Sequence, residues 1–310
     1  MKVVITGGAG FVGANLTRYL IESVPNVNVT ILDDFSTGYR HNVPESPQVE
    51  VIEGSILEND CLWKAIDGAD GIVHLAAVPS VPRSVANPKA SHDANATGTL
   101  AVLDAARQLG NTHTIVASSS SVYGANPVLP KAEALRPEPM SPYASSKLAA
   151  ESYARAFAAS YDLPVLVFRF FNIYGPYQAA DHDYAAVIPA FVSAAMRREP
   201  IPLEGDGEQS RDFTYVGTVC SVIGDALIRK VISPEPINLA FGGRLTVNGL
   251  VSKIESILGM ELETASHPAR RSDVRHSQAD ASRLLEHFPD IKPVSIDKGL
   301  ANTVAWFQQA

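Results

Sequence analysis

KVVITGGAGFVG, at residues 2–13, sets the architecture of this chain. Its first part, Lys2–Thr6, is a short apolar run that stops at glycines, and a helical pattern over residues 12–23 follows at once. A strand buried on both faces of a parallel sheet has this kind of continuous apolar sequence. The stretch therefore predicts a strand, a glycine turn and a helix in immediate succession.

The glycines of this turn have the spacing of a dinucleotide site. Gly8, Gly10 and Gly13 fit G-x-G-x-x-G, and Gly7, Gly10 and Gly13 fit G-x-x-G-x-x-G. Glycine is needed there for the tight turn, for close approach of the backbone to a pyrophosphate, and for close packing of helix on strand. The free N–H groups of the helix N-terminus then face the phosphates.

An acidic residue completes the dinucleotide pattern. Asp33 ends a second apolar run, 28–32, and lies twenty residues after Gly13. Its carboxylate can accept hydrogen bonds from both ribose hydroxyls, and it would repel a 2′-phosphate, which favours NAD over NADP. Arg40 is the nearby cation that could instead favour NADP, but we give Asp33 the greater weight.

After this unit, strand and helix patterns alternate as far as about residue 175. The predicted strands are 49–52, 71–75, 113–117 and 164–170, and the predicted helices are 91–109 and 145–161. Such alternation predicts an α/β fold with a doubly wound parallel sheet, the Rossmann arrangement, over residues 1–175.

Beyond residue 175 the segments become shorter and are punctuated by Pro and Gly. We interpret residues 176–310 as a smaller α/β lobe that binds the substrate. A strand near 236–240 is the exception, since it could return to the main sheet. The predicted helices of this part are 188–198, 216–228 and 247–258.

Composition excludes several classes of function. The chain has 310 residues, 46% of them hydrophobic and 19% charged, with a net charge of −8 and no long basic run, which argues against a nucleic-acid partner. No signal-like segment and no apolar run of the ~20 residues that span a bilayer are found, so we expect a cytoplasmic protein. Cys61 and Cys220 form no disulfide framework, and the spacing of His74, His182 and His276 fits no metal site.

Three residue types point to acid–base chemistry at an alcohol. Tyr143 and Lys147 are four residues apart at the start of a predicted helix, which places them on one face. A lysine ammonium, together with the positive nicotinamide ring, would lower the pKa of the tyrosine and make its phenolate a general base. The serines at 118–121 follow a predicted strand, where parallel sheets bind their ligands.

These residues and others resemble the extended short-chain dehydrogenase/reductase family, in particular its nucleotide-sugar 4-epimerases, over nearly the whole chain. The motifs are TGGAGFVG at 6–13, LDDFSTG at 32–38, HLAA at 74–77, SVPRSV at 80–85, SSSSVYG at 118–124, SPYASSK at 141–147, RFFNIYGP at 169–176, GDGEQSRDFTYV at 205–216 and ARRSDVRHSQAD at 269–280.

The resemblance implies a role for each matching residue. Tyr143 is the base, Lys147 tunes it and holds the nicotinamide ribose, and Ser119 orients the sugar hydroxyl. The residues implied to bind NAD, besides Tyr143 and Lys147, are Gly7, Gly10, Phe11, Val12, Asp33, Thr37, Gly38, Ile56, Leu75, Ala76 and Ala77. Those implied to bind a UDP-sugar, besides Ser119, are Asn172, Val187, Leu203, Arg211, Arg270, Asp273 and Ser277. Arg211 and Arg270 suit a diphosphate because guanidinium matches phosphate oxygens bidentately.

The sequence departs from the family at two positions. Ser55 precedes Ile56 where relatives usually have an aspartate near the adenine, which weakens the expected contacts to that base. In the R-x-G-D pattern at 270–273, Ser272 replaces the glycine, so we expect a slightly different loop path.

The reaction implied by the resemblance is epimerisation at C4 of a UDP-hexose. Tyr143 takes the hydroxyl proton, and NAD takes the C4 hydride. The 4-keto sugar then rotates about its diphosphate, and the hydride returns to the opposite face of C4. Related dehydratases and decarboxylases have an acid just before V-Y-G, whereas this chain has Ser120 and Ser121. The same scaffold is also compatible with a UDP-glucuronate 4-epimerase, a nucleotide-sugar reductase or an NAD-binding sensor without activity, although a sensor tends to lose the tyrosine or the lysine.

The choice of sugar depends on small residues. Ser277 aligns with a wall position that is bulky in relatives restricted to UDP-glucose and UDP-galactose, which predicts room for an N-acetyl group. Uronic-acid epimerases use an arginine where this chain has Ala179 and Ala180, which argues against a carboxylate. The helices at 91–109 and 145–161 resemble those that form the family homodimer.

Overall fold

A computed structural model describes residues 1–180, 185–268 and 274–309 of the protein. Its strands within these ranges, in chain order, are β1 (Lys2–Thr6), β2 (Asn28–Asp33), β3 (Val49–Glu53), β4 (Gly71–His74), β5 (His113–Ser119), β6 (Val165–Phe170), β7 (Asn172–Tyr174), β8 (Ile201–Glu204), β9 (Ser210–Arg211), β10 (Phe213–Tyr215), β11 (Ile237–Leu239), β12 (Leu245–Thr246) and β13 (Thr264–His267).

The helices of the same ranges, in chain order, are α1 (Phe11–Ser23), α2 (Asn59–Ile66), α3 (Val81–Ala86), α4 (Pro88–His92), α5 (Gly98–Gln108), α6 (Pro142–Tyr161), α7 (Val187–Arg197), α8 (Val216–Arg229), α9 (Val247–Leu258), α10 (Ser282–His287) and α11 (Ile296–Phe307). Short 3₁₀ turns at Arg40–Asn42 and Ser120–Tyr123 and a π-helical turn at Asp93–Thr97 add to these.

Seven of these strands form one parallel sheet in the order β11-β6-β5-β4-β1-β2-β3. The strand order reverses between β1 and β4, where Val3 pairs with Val29 of β2 on one side and with Gly71 of β4 on the other. Val3, Val4 and Ile5 are completely buried, as expected for a central strand covered on both faces. The predicted α/β fold with a doubly wound sheet is therefore confirmed.

Helices cover both faces of the sheet. On one face α1, α8 and α10 enclose an apolar core, in which Leu16, Ile223 and Phe288 are buried. On the other face α2, α5 and α6 enclose a second core around Leu62, Val102 and Phe157. Since helices cover both faces of the sheet, ligands reach it at the ends of its strands. Parallel sheets of this kind bind ligands in a crevice at the carboxyl ends of the strands.

The helix predicted as one segment over residues 91–109 is in fact broken. Helix α4 passes into the π-helical turn Asp93–Thr97, and α5 begins at Gly98. The side chain of Asn95, on this turn, accepts a hydrogen bond from the backbone N–H of Val78 at 2.8 Å. The helical periodicity of the sequence did not reveal this break, because the contact that accompanies it joins segments that are apart in the chain.

The chain after residue 175 contributes to both the sheet and a separate layer. The strand predicted near 236–240 is β11, which pairs with β6 at the sheet edge, while α8 packs on α1. Helices α7, α9 and α11 instead surround a third core that includes Phe191, Leu250 and Leu300. The division into lobes at residue 175 stays a prediction, since α8 and β11 join the first part.

Candidate active site

A cavity of about 760 Å³, the cofactor cavity, opens at the carboxyl ends of β1, β2, β4 and β5. Its wall contains twelve of the thirteen residues predicted to bind NAD: Gly7, Gly10, Phe11, Val12, Asp33, Thr37, Ile56, Leu75, Ala76, Ala77, Tyr143 and Lys147. Gly38 is the thirteenth and lies behind the glycine turn, where an added Cβ would stand 2.9 Å from the Cβ of Ala9.

The glycine turn requires glycine for the reasons that the sequence predicted. Gly7 has φ of +73°, and an added Cβ would lie 2.6 Å from the backbone nitrogen of Ala76. A Cβ on Gly13, in the first turn of α1, would lie 2.5 Å from the carbonyl oxygen of Gly7. The backbone of the turn is therefore packed against β4 and α1 with no space for side chains, and its outer surface is left for a ligand.

Asp33 is held at the end of β2 by the backbone around it. Its Oδ2 accepts the N–H of Ala9 at 2.9 Å, and its Oδ1 accepts the N–H of Phe35 at 2.9 Å. Burial raises the pKa of Asp33, and these two backbone hydrogen bonds act in the opposite direction. Each carboxylate oxygen has a second lone pair, so the group can still accept the ribose hydroxyls of NAD.

Arg40, the residue that could have favoured NADP, has other partners. Its guanidinium forms an ion pair with Glu53 and lies over the ring of Phe35, 4.2 Å from the ring centroid. The guanidinium charge of Arg40 is thus already paired with a carboxylate. This arrangement agrees with the preference for NAD that Asp33 predicts.

Ser119, Tyr143 and Lys147 meet at the inner end of the cofactor cavity. Strand β5 extends to Ser119, two residues further than predicted, and the Ser119 side chain hydrogen-bonds the Tyr143 hydroxyl. Ser119 Oγ also accepts the backbone N–H of Ser121 at 3.2 Å. Lys147 Nζ donates to the carbonyl oxygen of Ala117 at 2.9 Å. The predicted trio is thus assembled by one strand end and one helix.

The acid–base behaviour of the trio is dominated by burial. Burial raises the pKa of Tyr143, and the hydrogen bond with Ser119 only partly opposes this. The lowering of this pKa by Lys147 together with the nicotinamide ring stays a prediction. Burial also lowers the pKa of Lys147 to about 8, which weakens its charge as a partner. Desolvation disfavours both charged forms, and the positive nicotinamide ring of bound NAD is the remaining group that would favour the phenolate.

A buried chain of hydrogen bonds, which no sequence motif indicated, supports the wall of the cofactor cavity. Thr99 Oγ1 donates to the carbonyl of Asn95 at 2.6 Å, so it must accept from Nε2 of His74 at 2.9 Å. Nδ1 of the same ring then accepts the hydroxyl proton of Thr6 at 2.7 Å. Burial, with a smaller effect of Lys147, lowers the pKa of His74 to about 3, so the ring is neutral.

The chain of hydrogen bonds continues to the helix that carries Tyr143. Asn95 Nδ2 donates to Ser146 Oγ at 2.9 Å, and Ser146 Oγ donates to the carbonyl oxygen of Tyr143 at 2.8 Å. Because Asn95 also binds both backbone groups of Val78, the cavity wall and the first turn of α6 share one anchor. The π-helical turn around Asn95 is therefore a structural part of the site.

One helical turn beyond Lys147, an ion pair fixes α6 against the sheet. Glu151 accepts two hydrogen bonds from Arg169 of β6, at 2.6 and 3.0 Å, and both side chains are 3% exposed. Ser118, next to Ser119 on β5, donates to the same carboxylate at 3.0 Å. Removing one partner of such a buried pair leaves an unpaired charge, so the pair locks the position of α6.

A second cavity, of about 300 Å³, adjoins the trio. We call it the serine cavity because Ser119, Ser120, Ser121 and Ser277 line it. Asn172 and Arg211, two of the predicted substrate residues, lie in the same wall. Lys131 also lines it, a buried residue that the motifs did not single out and for which the sequence offered no signal.

A third cavity, of about 730 Å³, continues outward and is called here the outer cavity. Val187, at the start of α7, lines it together with Asn172 and Arg211. Leu203 lies between two lining residues of β8, Pro202 and Glu204, and is partly buried against the third core, so its contact with substrate stays a prediction. Asn172 lines all three cavities, which makes the three a continuous groove.

Arg211 is placed where a diphosphate could bridge the serine and outer cavities. Its Nη1 donates to the carbonyl oxygens of Ser210 at 2.9 Å and of Arg275 at 3.2 Å. These contacts fix the guanidinium at the cavity wall. Arg270, the other predicted diphosphate ligand, and Asp273, also predicted to bind the UDP-sugar, lie outside the described residues, as does Ser272.

The remaining sequence predictions concern metals and membranes. Within residues 1–180, 185–268 and 274–309, no group of three or more His, Cys, Asp or Glu side chains could hold a metal ion. His182 lies outside these ranges. In the same part of the chain, no helix combines the length and the apolar character needed to cross a membrane. The cytoplasmic location stays a prediction.

Comparison with known proteins defines the class that this fold and site represent. The model of the NAD dependent epimerase/dehydratase family matches residues 3–240. Since this is well over half of the chain, the protein belongs to that family. The NAD dependence of the family agrees with the glycine turn, Asp33 and the cofactor cavity.

Individual relatives are similar over their full length. The UDP-glucose 4-epimerase of Mycolicibacterium smegmatis is 31% identical over 99% of both chains. A probable UDP-glucuronate 4-epimerase of Rhizobium meliloti is 31% identical over 100% of this chain and 97% of the relative. The structure of UDP-N-acetylglucosamine 4-epimerase from Methanobrevibacter ruminantium, in complex with UDP-N-acetylmuramic acid, is 35% identical, covers 99% of this chain and 98% of its own, and superposes with a TM-score of 0.93.

Proposed function

We propose that the protein interconverts the C4 epimers of UDP-hexoses, both UDP-glucose/UDP-galactose and UDP-N-acetylglucosamine/UDP-N-acetylgalactosamine, through a transient 4-keto sugar. The observation that carries the proposal is the position of Ser119. It hydrogen-bonds Tyr143 and lines both the cofactor cavity and the serine cavity, so it lies where a sugar bound in one cavity could meet a nicotinamide bound in the other. Relatives named as UDP-sugar 4-epimerases, about 30% identical to this chain, support it.

The residues of the trio divide the proton chemistry between them. Tyr143 accepts the proton of the C4 hydroxyl as the C–H bond at C4 is broken, and returns a proton to the oxygen afterwards. Bound NAD supplies reversible acceptance of the C4 hydride. Ser119 Oγ would hydrogen-bond the C4 oxygen. Lys147, oriented by its hydrogen bond to the carbonyl oxygen of Ala117, would bind the cofactor ribose.

Epimerisation also requires that the sugar ring rotates in the site while its nucleotide stays bound. Arg211 and Asn172, at the junction of the serine and outer cavities, are placed to hold the diphosphate. The serine cavity offers small hydroxyl side chains along much of its wall, which allow more than one orientation of the ring. Arg270 is proposed to complete the diphosphate site, and Asp273 to bind another part of the UDP-sugar.

The absence of an acid in the serine cavity separates this function from dehydration. A dehydratase needs an acidic group to remove the C5 proton and to assist the elimination. Ser120 and Ser121 both line the cavity, and among its described lining residues there is no Asp or Glu. The intact trio likewise argues against an NAD-binding sensor that does no chemistry.

The test is turnover by the purified protein without added reductant. UDP-glucose and UDP-N-acetylglucosamine are incubated separately, and the anomeric protons are followed by NMR. We expect galacto-configured signals that approach an equilibrium mixture, with NAD retained on the protein. If neither sugar is converted, even after NAD is added, the proposal is wrong, and UDP-glucuronate is the next substrate to test.

We also propose a homodimer in which α5 and α6 of each copy pair. Tyr153 and Tyr161 of α6 are large side chains with exposed fractions of 41% and 49%, as expected for a face that awaits a partner. Light scattering after size exclusion would give the mass. A Tyr153→Glu/Tyr161→Glu variant should be monomeric if this face forms the contact, and an unchanged mass would contradict it.

A further inference from the structure

A buried carboxylate lies behind the wall of the groove. Asp212, between β9 and β10, is 1% exposed and lies outside the walls of the three cavities. Its Oδ2 accepts two hydrogen bonds of 3.0 Å, from the backbone N–H groups of Gly242 and Ala279. Its backbone carbonyl accepts two more, from the N–H and from Nδ2 of Asn172, each at 3.3 Å. One residue therefore links three other segments of the chain.

The segments that Asp212 links carry three of the residues predicted to bind the substrate. Arg211 directly precedes Asp212, Asn172 is hydrogen-bonded to it, and Ser277 lies two residues before Ala279. Arg211, Asn172 and Ser277 all line the serine cavity, and the first two also line the outer cavity. Asp212 thus holds, from behind the wall, residues that face a ligand in front of it.

Two of the linked segments leave the main sheet. Asn172 begins β7 directly after β6, and Gly242 follows β11, which pairs with β6 at the sheet edge. Both segments emerge at the carboxyl ends of their strands, the same end of the sheet as the catalytic trio. Arg211 and Ser277 belong instead to segments outside the seven-stranded sheet. The hydrogen bonds of Asp212 therefore connect the predicted diphosphate site to the sheet that positions the trio.

The carboxylate of Asp212 is not one that packing alone would select. Within the described residues, its charge is met by backbone N–H groups and by no cation. Burial raises the pKa of Asp212 to about 6, against the effect of these N–H groups. Oδ1 has no hydrogen-bond partner in the part of the chain that the structure describes. A buried carboxylate without a counter-ion costs free energy, so the links that it makes are the better explanation of its presence.

We propose that Asp212 is a positioning residue for the nucleotide-sugar site, which fixes Arg211, Asn172 and Ser277 relative to the catalytic trio. The proposal rests on the proposed function. Because the sugar rotates while its diphosphate is held, the distance from the diphosphate to the trio must stay constant for C4 to reach Tyr143. A displacement of about 1 Å in such a site can reduce catalysis by about 10²-fold.

The test compares the NAD-loaded full chain with its Asp212 variants. Calorimetry measures UDP binding, and NMR measures kcat and KM for the UDP-hexose that the wild type converts faster. Asp212→Ala should weaken UDP binding about 10-fold, the loss expected when buried N–H groups are left without an acceptor, and should also lower kcat. Bound NAD should stay at the wild-type level, since Asp212 makes no hydrogen bond to the glycine turn.

Conservative variants separate positioning from stability. Asp212→Asn retains an oxygen for the two N–H groups and should stay within about 3-fold of wild type in UDP binding and kcat. Asp212→Glu retains the charge but lengthens the link by one methylene group, so its kcat should fall, and this variant serves if Asp212→Ala does not fold. Thr214→Ala is the matched control, because it removes another buried polar side chain from β10 whose hydroxyl has no partner among the described residues.

Several outcomes would overturn the proposal. They are wild-type UDP binding and kcat in Asp212→Ala, a wild-type kcat in Asp212→Glu, an Asn variant as defective as the Ala variant, and an equal loss in Thr214→Ala. A parallel loss of UDP and NAD from Asp212→Ala would show a general structural role and also overturn it. Because UDP binding is measured apart from turnover, the two proposals can fail separately. A wild type that binds UDP but epimerises no sugar would contradict the proposed function, while the binding data still test Asp212.

Discussion

The cofactor cavity and the serine cavity are neighbours, yet they are built in opposite ways. The cofactor cavity is shaped by backbone, since an added Cβ on Gly7 would come within 2.6 Å of the backbone of Ala76. The serine cavity is shaped by side chains from separate segments, among them Lys131, Arg211 and Ser277. A wall of backbone tolerates almost no substitution, whereas a wall of side chains can change its chemistry one residue at a time.

This contrast indicates which parts of the site hold the chemistry constant and which can vary it. The trio and the NAD site are fixed by contacts that extend deep into the sheet, such as the pair of Glu151 with Arg169. The sugar end is lined by residues from separate segments, such as Ser121, Arg211 and Ser277. Substitutions in the two cavities should therefore differ in kind, and four measurements test that distinction.

The largest effect is expected at the junction of the two cavities. Tyr143→Phe removes the group that exchanges the C4 hydroxyl proton, so kcat should fall by about 10²–10⁴-fold, the usual contribution of a general acid–base residue. Bound NAD, measured in the supernatant after denaturation, should stay at the wild-type level. Tyr153→Phe on the exposed face of the same helix is the control, and activity within a factor of ten of wild type in Tyr143→Phe would refute the assignment.

The next effect tests whether the cofactor wall is rigid. Gly7→Ala forces a side chain into φ of +73° and against Ala76, so the turn must shift. A displacement of about 1 Å at this turn should reduce activity by about 10²-fold and deplete the bound NAD. Gly68→Ala is matched, because Gly68 has φ of +67° but nothing within 4 Å of the added Cβ. Equal NAD content in the two variants would show that backbone contact does not define the site.

A smaller effect concerns the buried histidine behind the cofactor cavity. The pKa of His74 is about 3 in the folded protein and 6.5 in the unfolded chain. Between pH 3 and pH 6.5, the unfolded chain therefore binds a proton that the native protein does not bind. Stability therefore falls as pH falls, by about 1.4 kcal/mol per unit, or about 2 kcal/mol at pH 5.

Denaturant titrations between pH 7 and 5 measure this slope. His74→Gln should be less stable at pH 7, because a buried hydrogen-bond chain is cut, but its stability should depend less on pH by that amount. His92→Gln, at an exposed position, should retain the wild-type slope. A wild-type slope in His74→Gln would mean that another group controls the acid sensitivity.

The smallest effect is expected on the side-chain wall of the serine cavity. Ser277→Tyr fills space next to the trio, and we expect the ratio of UDP-N-acetylglucosamine to UDP-glucose turnover to fall about 10-fold, as for other steric discrimination in pockets. NAD content and the melting temperature should stay close to wild type. Ser277→Ala is the control and should preserve the ratio. If Ser277→Tyr leaves N-acetylated turnover untouched, this wall does not set the sugar preference.

Much of the cofactor side could be predicted because its determinants are local in sequence. The glycine turn lies between the strand and the helix that it connects, and Asp33 ends the next strand, so spacing alone defines their geometry. The other cofactor residues were implied by the family resemblance, and in all twelve of the thirteen predicted residues line the cavity. Gly38 lies behind Ala9 instead, since a motif shows that a glycine is needed but not which contact requires it.

The parts that escaped prediction depend on contacts between distant segments. Lys131 lines the serine cavity, and Gln278 and Asp280 hold its backbone from nearly 150 residues away, an arrangement that no motif contains. Leu203, assigned to substrate, lies against the third core while its neighbours on β8 line the outer cavity, an arrangement that the sequence did not indicate. Burial, which raises the pKa of Tyr143, is likewise a property of the folded chain.

The amino-acid sequence was sufficient to predict the alternation of strands and helices, the dinucleotide turn, the nicotinamide cofactor and the identity of the trio. The alternation, the dinucleotide turn and the pairing of Tyr143 with Lys147 follow from periodicity and short spacings, which act through covalent neighbours, whereas Ser119 was singled out by the resemblance to the family. The folded structure was needed to establish which groups are desolvated, which hydrogen bonds His74 and Asn95 make, and which residues line the serine cavity. Those properties arise from the low dielectric and the packing of a folded interior, where residues far apart in the chain become neighbours.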